Sequence, residues 1–117
     1  MVRFALEALK SRTDFRPFRE GVEVAWLSGE GASGAASALL RYAPNARVPA
    51  HRHGGYEHIL VLEGAQEDER GRYTAGTLVI NEPGSVHRVT SPEGCLVLVI
   101  WEKSVTFLED SSDEHPT

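Results

Sequence analysis

With 117 residues, 41% of them hydrophobic, the chain has material for one compact domain and not for two. Twelve basic residues against seventeen acidic ones give a net charge of -5, which excludes long-range attraction to nucleic-acid phosphates or to anionic lipid. No stretch approaches the ~20 apolar residues of a spanning helix, and the start MVRFALEALK lacks the basic and apolar segments of a leader. Cys95 is the single cysteine, so no internal disulfide forms, and the expected setting is a soluble cytoplasmic protein with no nucleic-acid or membrane partner.

Residues 1–20 read as a short N-terminal arm in which Phe4, Leu6, Ala8 and Leu9 stand between charges, a pattern that suits a helical turn and an extended segment equally. From Val22 to Leu27 apolar residues alternate with polar or small ones, the loop SGEGASG follows, and SALLRYA reads as the second strand of a hairpin. Pro44 and Pro49 bracket a piece that belongs at an edge or corner, because proline gives no ladder donor. Tyr56 to Leu62 is a strand closed by Glu63-Gly64, and Asp68-Glu69-Arg70-Gly71 turns the chain into RYTAGTLVI, which Gly76 interrupts. Asn81-Glu82-Pro83-Gly84 is a turn, Ser85 to Thr90 a short strand, SPEG a further turn, and CLVLVIWEK the most apolar strand. There, Leu96, Leu98 and Ile100 alternate with Val97, Val99 and Trp101, so both faces need cover, from the arm or from a second subunit. A homodimer is the expected assembly. The tail at 109–117 is acidic and polar and is expected to be disordered.

The segment PAHRHGGYEHILVLEG carries His51, His53 and Glu57. A strand projects alternate residues to one side, so the two histidines face the same way. Gly54-Gly55 breaks the parity and frees the backbone to bring a carboxylate to the same point. His87, in PGSVH after a tight turn, reaches that point if antiparallel pairing sets it opposite. A lone histidine is ordinarily a surface or hydrogen-bonded residue, and an H-x-H pair on a strand is only moderately specific; the combination carries the metal reading. His58 points away from Glu57 and reads as a surface residue.

At these residues the chain resembles the cupin superfamily, whose first motif is matched by His51-x-His53-x3-Glu57-x6-Gly64 and whose second is matched by Gly76, Gly84 and His87. Glu82 stands where proline is usual, Ser91 where asparagine is, and Asn45, which tolerates left-handed backbone, replaces the leading glycine of the first motif. The resemblance covers residues 20–108 and implies an all-β, single-domain double-stranded β-helix, a jelly-roll barrel over 21–108 behind the arm. VPAHRH, ILVLEG, the D-E-R-G-R-Y turn, PGS-x-H and SPEGC are similar to the cupin domain of ChrR-type anti-sigma factors and its free-standing relatives. In that family two acidic residues usually occur where this chain has Glu57 and His58.

Three imidazoles and a carboxylate without thiolate suit one divalent transition metal ion: zinc, iron, manganese, nickel or copper. The ChrR-like resemblance implies zinc and a sensory or regulatory role; dioxygenase-type cupins imply iron and a small organic substrate such as a β-diketone, bound in the barrel. Residues 1–20 are too short to be the helical domain that holds a sigma factor, so direct sequestration is not expected. A third reading, an isomerase or lyase, draws on basic residues in the barrel, for which Arg41, Arg47 and Arg88 are candidates, while Tyr42 and Tyr56 are further candidates to orient a reacting group. Trp26 and Trp101 read as core or interface, and Cys95 as inert packing.

Overall fold

The computed structural model describes residues 1–29 and 34–108. Its organising strand is the apolar one near the end of the chain. In chain order the elements are α1 (Leu6–Lys10), β1 (Arg16–Arg19), β2 (Val22–Ser28), β3 (Ala36–Tyr42), β4 (Ala46–His53), β5 (Glu57–Asp68), β6 (Gly71–Thr74), β7 (Leu78–Asn81), β8 (Val86–Ser91), β9 (Cys95–Trp101) and β10 (Val105–Phe107). β9 lies between β3 and β5 in the sheet order β1-β2-β3-β9-β5-β8-β4-β10, all antiparallel. Val97, Val99 and Trp101 turn into the barrel interior, and Leu96 packs on the outer face with Ala25, Leu39 and Leu62.

The ribbon curls because β5 serves two sheets. Glu57–Leu60 sits between β7 and β9, whereas Ala65–Asp68 pairs with β6 and touches β8 through Glu67 opposite Thr90. The change of sheet falls at Gly64, whose φ of 73° is left-handed; a Cβ there would stand 2.2 Å from the carbonyl oxygen of Gly94. The halves thus face each other, and Val22, Val24, Leu40, Val61 and Val97 of one meet Ala46, Val48 and Val89 of the other. This is the single-domain jelly-roll barrel expected from the sequence.

Two local readings sharpen. The N-terminal 20 residues hold both alternatives left open: α1, whose Leu9 covers the outer face over Ala25, Leu39, Leu62 and Leu96, and β1, which pairs with β2. RYTAGTLVI divides into β6 and β7, which join different halves of β5. Asn45 has φ 68°, the left-handed conformation that the motif's usual glycine would take. Positions 109–117 of the acidic tail lie outside the described residues. No helix among the described residues is long and apolar enough to cross a membrane.

Gly64→Ala should therefore lower unfolding free energy by at least about 2 kcal/mol in urea titrations, combining left-handed strain with a backbone clash. Gly76→Ala, also at positive φ but with nothing within 4 Å of the added carbon, should cost only about 1 kcal/mol.

Candidate metal centre

β4 is bulged where the site begins. Val48 faces Val89 and His51 faces His87, so Pro49 and Ala50 together stand opposite Arg88 alone. Simple alternation from the inward Val48 would have sent His51 to solvent; the extra residue reverses parity and turns both His51 and His53 inward. Proline suits the bulge because its missing N–H leaves no ladder bond unmade. Beyond His53, Gly54 carries the chain past the β9–β10 connection, where a Cβ would come within 2.8 Å of the Ser104 carbonyl oxygen. β5 then enters with Glu57, which faces Asn81 of β7 on one side and Trp101 of β9 on the other.

The structure brings His51, His53 and His87 together. Their ring centroids are 4.6 to 5.1 Å apart, and one ligand atom from each lies within 4.8 Å of the others. Glu57 is in the same pocket, with Oε1 at 3.0 Å from His53 Nε2, an ion-pair distance without the alignment of a hydrogen bond. All four side chains are sealed: His51 is 0% exposed, His87 1%, His53 and Glu57 2%.

Hydrogen bonds settle which nitrogen of each ring faces inward. His51 Nδ1 is 2.8 Å from the Pro49 carbonyl oxygen, and His53 Nδ1 is 3.0 Å from both the carbonyl and the hydroxyl oxygen of Ser85. His87 Nδ1 is 3.1 Å from Asp68 Oδ2. Carbonyls and carboxylates accept only, so each Nδ1 carries the proton and donates it. Each Nε2 is then a lone pair in the neutral ring, and all three are buried without a hydrogen-bond partner. Glu57 adds an acceptor already bonded by Asn81 Nδ2 at 3.0 Å and by Trp101 Nε1 at 2.7 Å. A cluster of inward acceptors with no donor among them fits a cation, and imidazole with carboxylate is a donor set for a divalent transition metal.

Electrostatics agree. Burial pushes the His51 imidazole from its ordinary 6.5 down to about 4, keeping it neutral at pH 7 as a ligand must be. Burial alone would raise Glu57, but the donation and positive charge that His53 and the neighbouring imidazoles bring when they are protonated outweigh it and hold the carboxyl below its usual range. Asp68 is likewise raised by burial but lowered further by the bonds from Tyr73, His87 and the Arg70 N–H.

Other sequence candidates fall elsewhere. Arg41, Arg47, Arg88 and Tyr56 are exposed, Arg41 lying over the Phe15 ring and beside Glu23. The arginines on which the isomerase or lyase reading draws are thus surface residues. Tyr42 is buried in the core. His58, on the outer face, is half-buried with its ring 6.3 Å from that of Tyr56. Cys95 is buried, and burial raises its thiol to about 11, as expected of an inert packing residue. Trp101 is core, as expected, yet it also bonds the site carboxylate. Asp68, Asn81, Ser85 and the Pro49 carbonyl are likewise site residues that sequence reasoning missed. By sequence Asp68 and Asn81 are turn residues, and the alternation that turns Trp101 inward is the signal available for it.

The sequence pattern of the ChrR cupin-like domain matches residues 8–105. The chain belongs to the ChrR cupin-like domain family. Rhodobacter sphaeroides SigE in complex with the anti-sigma ChrR aligns with 31% identity and a TM-score of 0.68 over 78% of this chain and 49% of that one. A protein of unknown function with a cupin-like fold from Ralstonia eutropha JMP134 aligns with 21% identity and TM-score 0.69, over 77% of this chain and 60% of that one. This cupin domain thus spans about half to three-fifths of those chains. An acetylacetone dioxygenase from Acinetobacter johnsonii shares the fold at TM-score 0.75 and 16% identity, over 88% of this chain and 78% of that one. No curated protein matches the sequence.

The pH dependence follows from His51. Its folded-state pKa lies below its unfolded one, so the unfolded chain binds the proton first. Its contribution is whole above pH 6.5 and is lost as pH falls towards about 4. Glu57 and Asp68, also lowered, act in the same sense at more acid pH. Metal-free protein should therefore lose about 2 to 3 kcal/mol between pH 7 and pH 4.5 in urea denaturation; a flat profile would contradict a buried neutral His51.

Proposed function

We propose that this cupin domain holds one divalent transition metal ion through His51, His53, Glu57 and His87, in a sensory or regulatory role within the cytoplasm. The observation that carries the reading is the inward convergence of three Nε2 lone pairs whose Nδ1 protons are all committed outward. Zinc is the first choice of ion, because an imidazole and carboxylate set suits it and it needs no redox partner. When bound, the ion supplies Lewis acidity and a fixed positive charge. The chain's own residues orient the imidazoles, tie Glu57 to Asn81 and Trp101, and exclude water. That sealing supports an ion that is held rather than presented to an organic substrate.

Elemental analysis of untagged protein should find one zinc per chain, lost in His51→Ala/His53→Ala. A strong chelator should lower the thermal midpoint of the wild type by roughly 10 °C and leave the double variant unmoved. Stoichiometric iron with oxygen uptake on a β-diketone would replace this reading with a dioxygenase, and metal unaffected by the double substitution would sink the site.

We also propose that two copies associate through the outer half-face that α1 leaves bare. Leu78 and Ile80 on β7 and Ile100 on β9, the two strands that flank β5, are about half exposed, with half-buried His58 between Ile80 and Ile100, and they adjoin the half that Leu9 covers. An exposed, largely apolar sheet face of this kind suits contact with a second copy about a twofold axis. Sedimentation should give a dimer for the wild type and a monomer for Ile80→Lys/Ile100→Lys; a monomeric wild type at tens of micromolar would refute it.

A further inference from the structure

The D-E-R-G-R-Y turn, which the sequence presents as mere punctuation between two strands, is the part of the molecule that touches His87. Asp68 Oδ2 accepts the His87 Nδ1 proton at 3.1 Å, while Oδ1 accepts from the Tyr73 hydroxyl at 2.7 Å and from the Arg70 N–H at 2.8 Å. The next residue clamps the backbone beside it: both oxygens of Glu69 lie 3.0 Å from the N–H of Arg88. Ring and main chain of this strand are thus gripped by consecutive acids of one tight turn. Asp68 itself is nearly sealed, its side chain 4% exposed.

The three imidazoles are not equivalent in this respect. His51 and His53 are backed by neutral oxygens, of Pro49 and Ser85, and His87 by a full negative charge. A carboxylate on Nδ1 fixes the ring's tautomer, locks its orientation and makes Nε2 a stronger electron donor. It also brings the negative charges in and around the pocket to two, Glu57 and Asp68, which balances a divalent ion where water does not screen it.

We infer that Asp68 is the positioning residue of this centre: through His87 it sets the tautomer and donor strength of one ligand and supplies the second charge that selects a doubly charged ion. This rests on the metal-binding reading above, and Tyr73 is its accessory, holding the Asp68 carboxylate in line. Glu69 acts on the backbone alone.

The test is zinc(II) affinity of the full chain, by competition with a chromophoric chelator, alongside long-range 1H–15N spectra of the metal-free imidazoles. Asp68→Asn keeps the size and an oxygen acceptor but removes the charge; it should weaken zinc binding 10–100-fold. Tyr73→Phe should weaken it a few-fold, and Ser85→Ala, which leaves the Ser85 carbonyl in place, should do less than Asp68→Asn. In the spectra, His87 of the wild type should be the Nδ1–H tautomer, and Asp68→Ala should convert it to a mixture while His51 is unchanged. Zinc affinity of Asp68→Asn within twofold of the wild type, or a His87 tautomer indifferent to Asp68→Ala, overturns the inference. If the wild type binds no zinc or other divalent metal, the metal reading itself fails, and the spectra alone decide whether Asp68 orients His87.

Discussion

Three imidazole lone pairs and one carboxylate share a pocket sealed from bulk solvent, and acceptors so placed repel one another unless a cation lies among them. An unmet buried acceptor costs about 1–3 kcal/mol, and the closest pair here, His53 Nε2 and Glu57 Oε1, is 3.0 Å apart. The opposing Nδ1 bonds make this a constraint rather than an accident, since each ring would have to surrender an outward bond before its proton could move inward. The positive charge that resolves the pocket must come from a proton or a metal ion, and the choice of imidazole over thiolate narrows the metals to borderline ones.

The strand architecture exists in the form that meets this constraint. The bulge at Pro49–Ala50 is a small defect in β4, but without it both histidines would face water. The length of β5 matters in the same way, since one strand delivers Glu57 to the pocket at its start and Asp68 to the back of His87 at its end. The bend at Gly64 between them lets residues of a single strand approach the pocket from two directions. Asn45, with its left-handed φ, and Ser91, whose hydroxyl donates to the Ala65 carbonyl at 2.7 Å, show that departures from the family's usual residues fell on the scaffold.

How much of this was legible beforehand depended on sequence distance. His51, His53 and Glu57 lie within seven positions of one another and announce themselves by spacing, and His87 follows a recognisable turn. The apolar alternation of residues 95–101 foretold a strand with two apolar faces, of which the inner is sealed in the barrel while the outer is covered at Leu96 and left half exposed at Ile100. The partners of the ligands were hidden for a physical reason: Trp101 and Asn81 meet Glu57 only through the register of β9 and β7 on β5, and register is a property of the assembled sheet. Asp68 was hidden differently, because an aspartate opening a tight turn already has a sufficient local explanation in its bond from the Arg70 N–H. The arm was undecidable from the few apolar residues at its start, Phe4, Leu6, Ala8 and Leu9, and it contributes a helix and a strand.

Trp101 has a property beyond packing. It is one of two tryptophans in the chain, and its partner Trp26 lies 6.0 Å away, with Phe18 edge-on to Trp26 at 5.8 Å. The indole N–H rests on the carboxylate whose charge any occupant of the pocket must alter. Both indoles of the protein therefore sit beside the centre, and a cation drawn to Glu57 would change the electric field at the Trp101 ring and with it the protein's own ultraviolet emission.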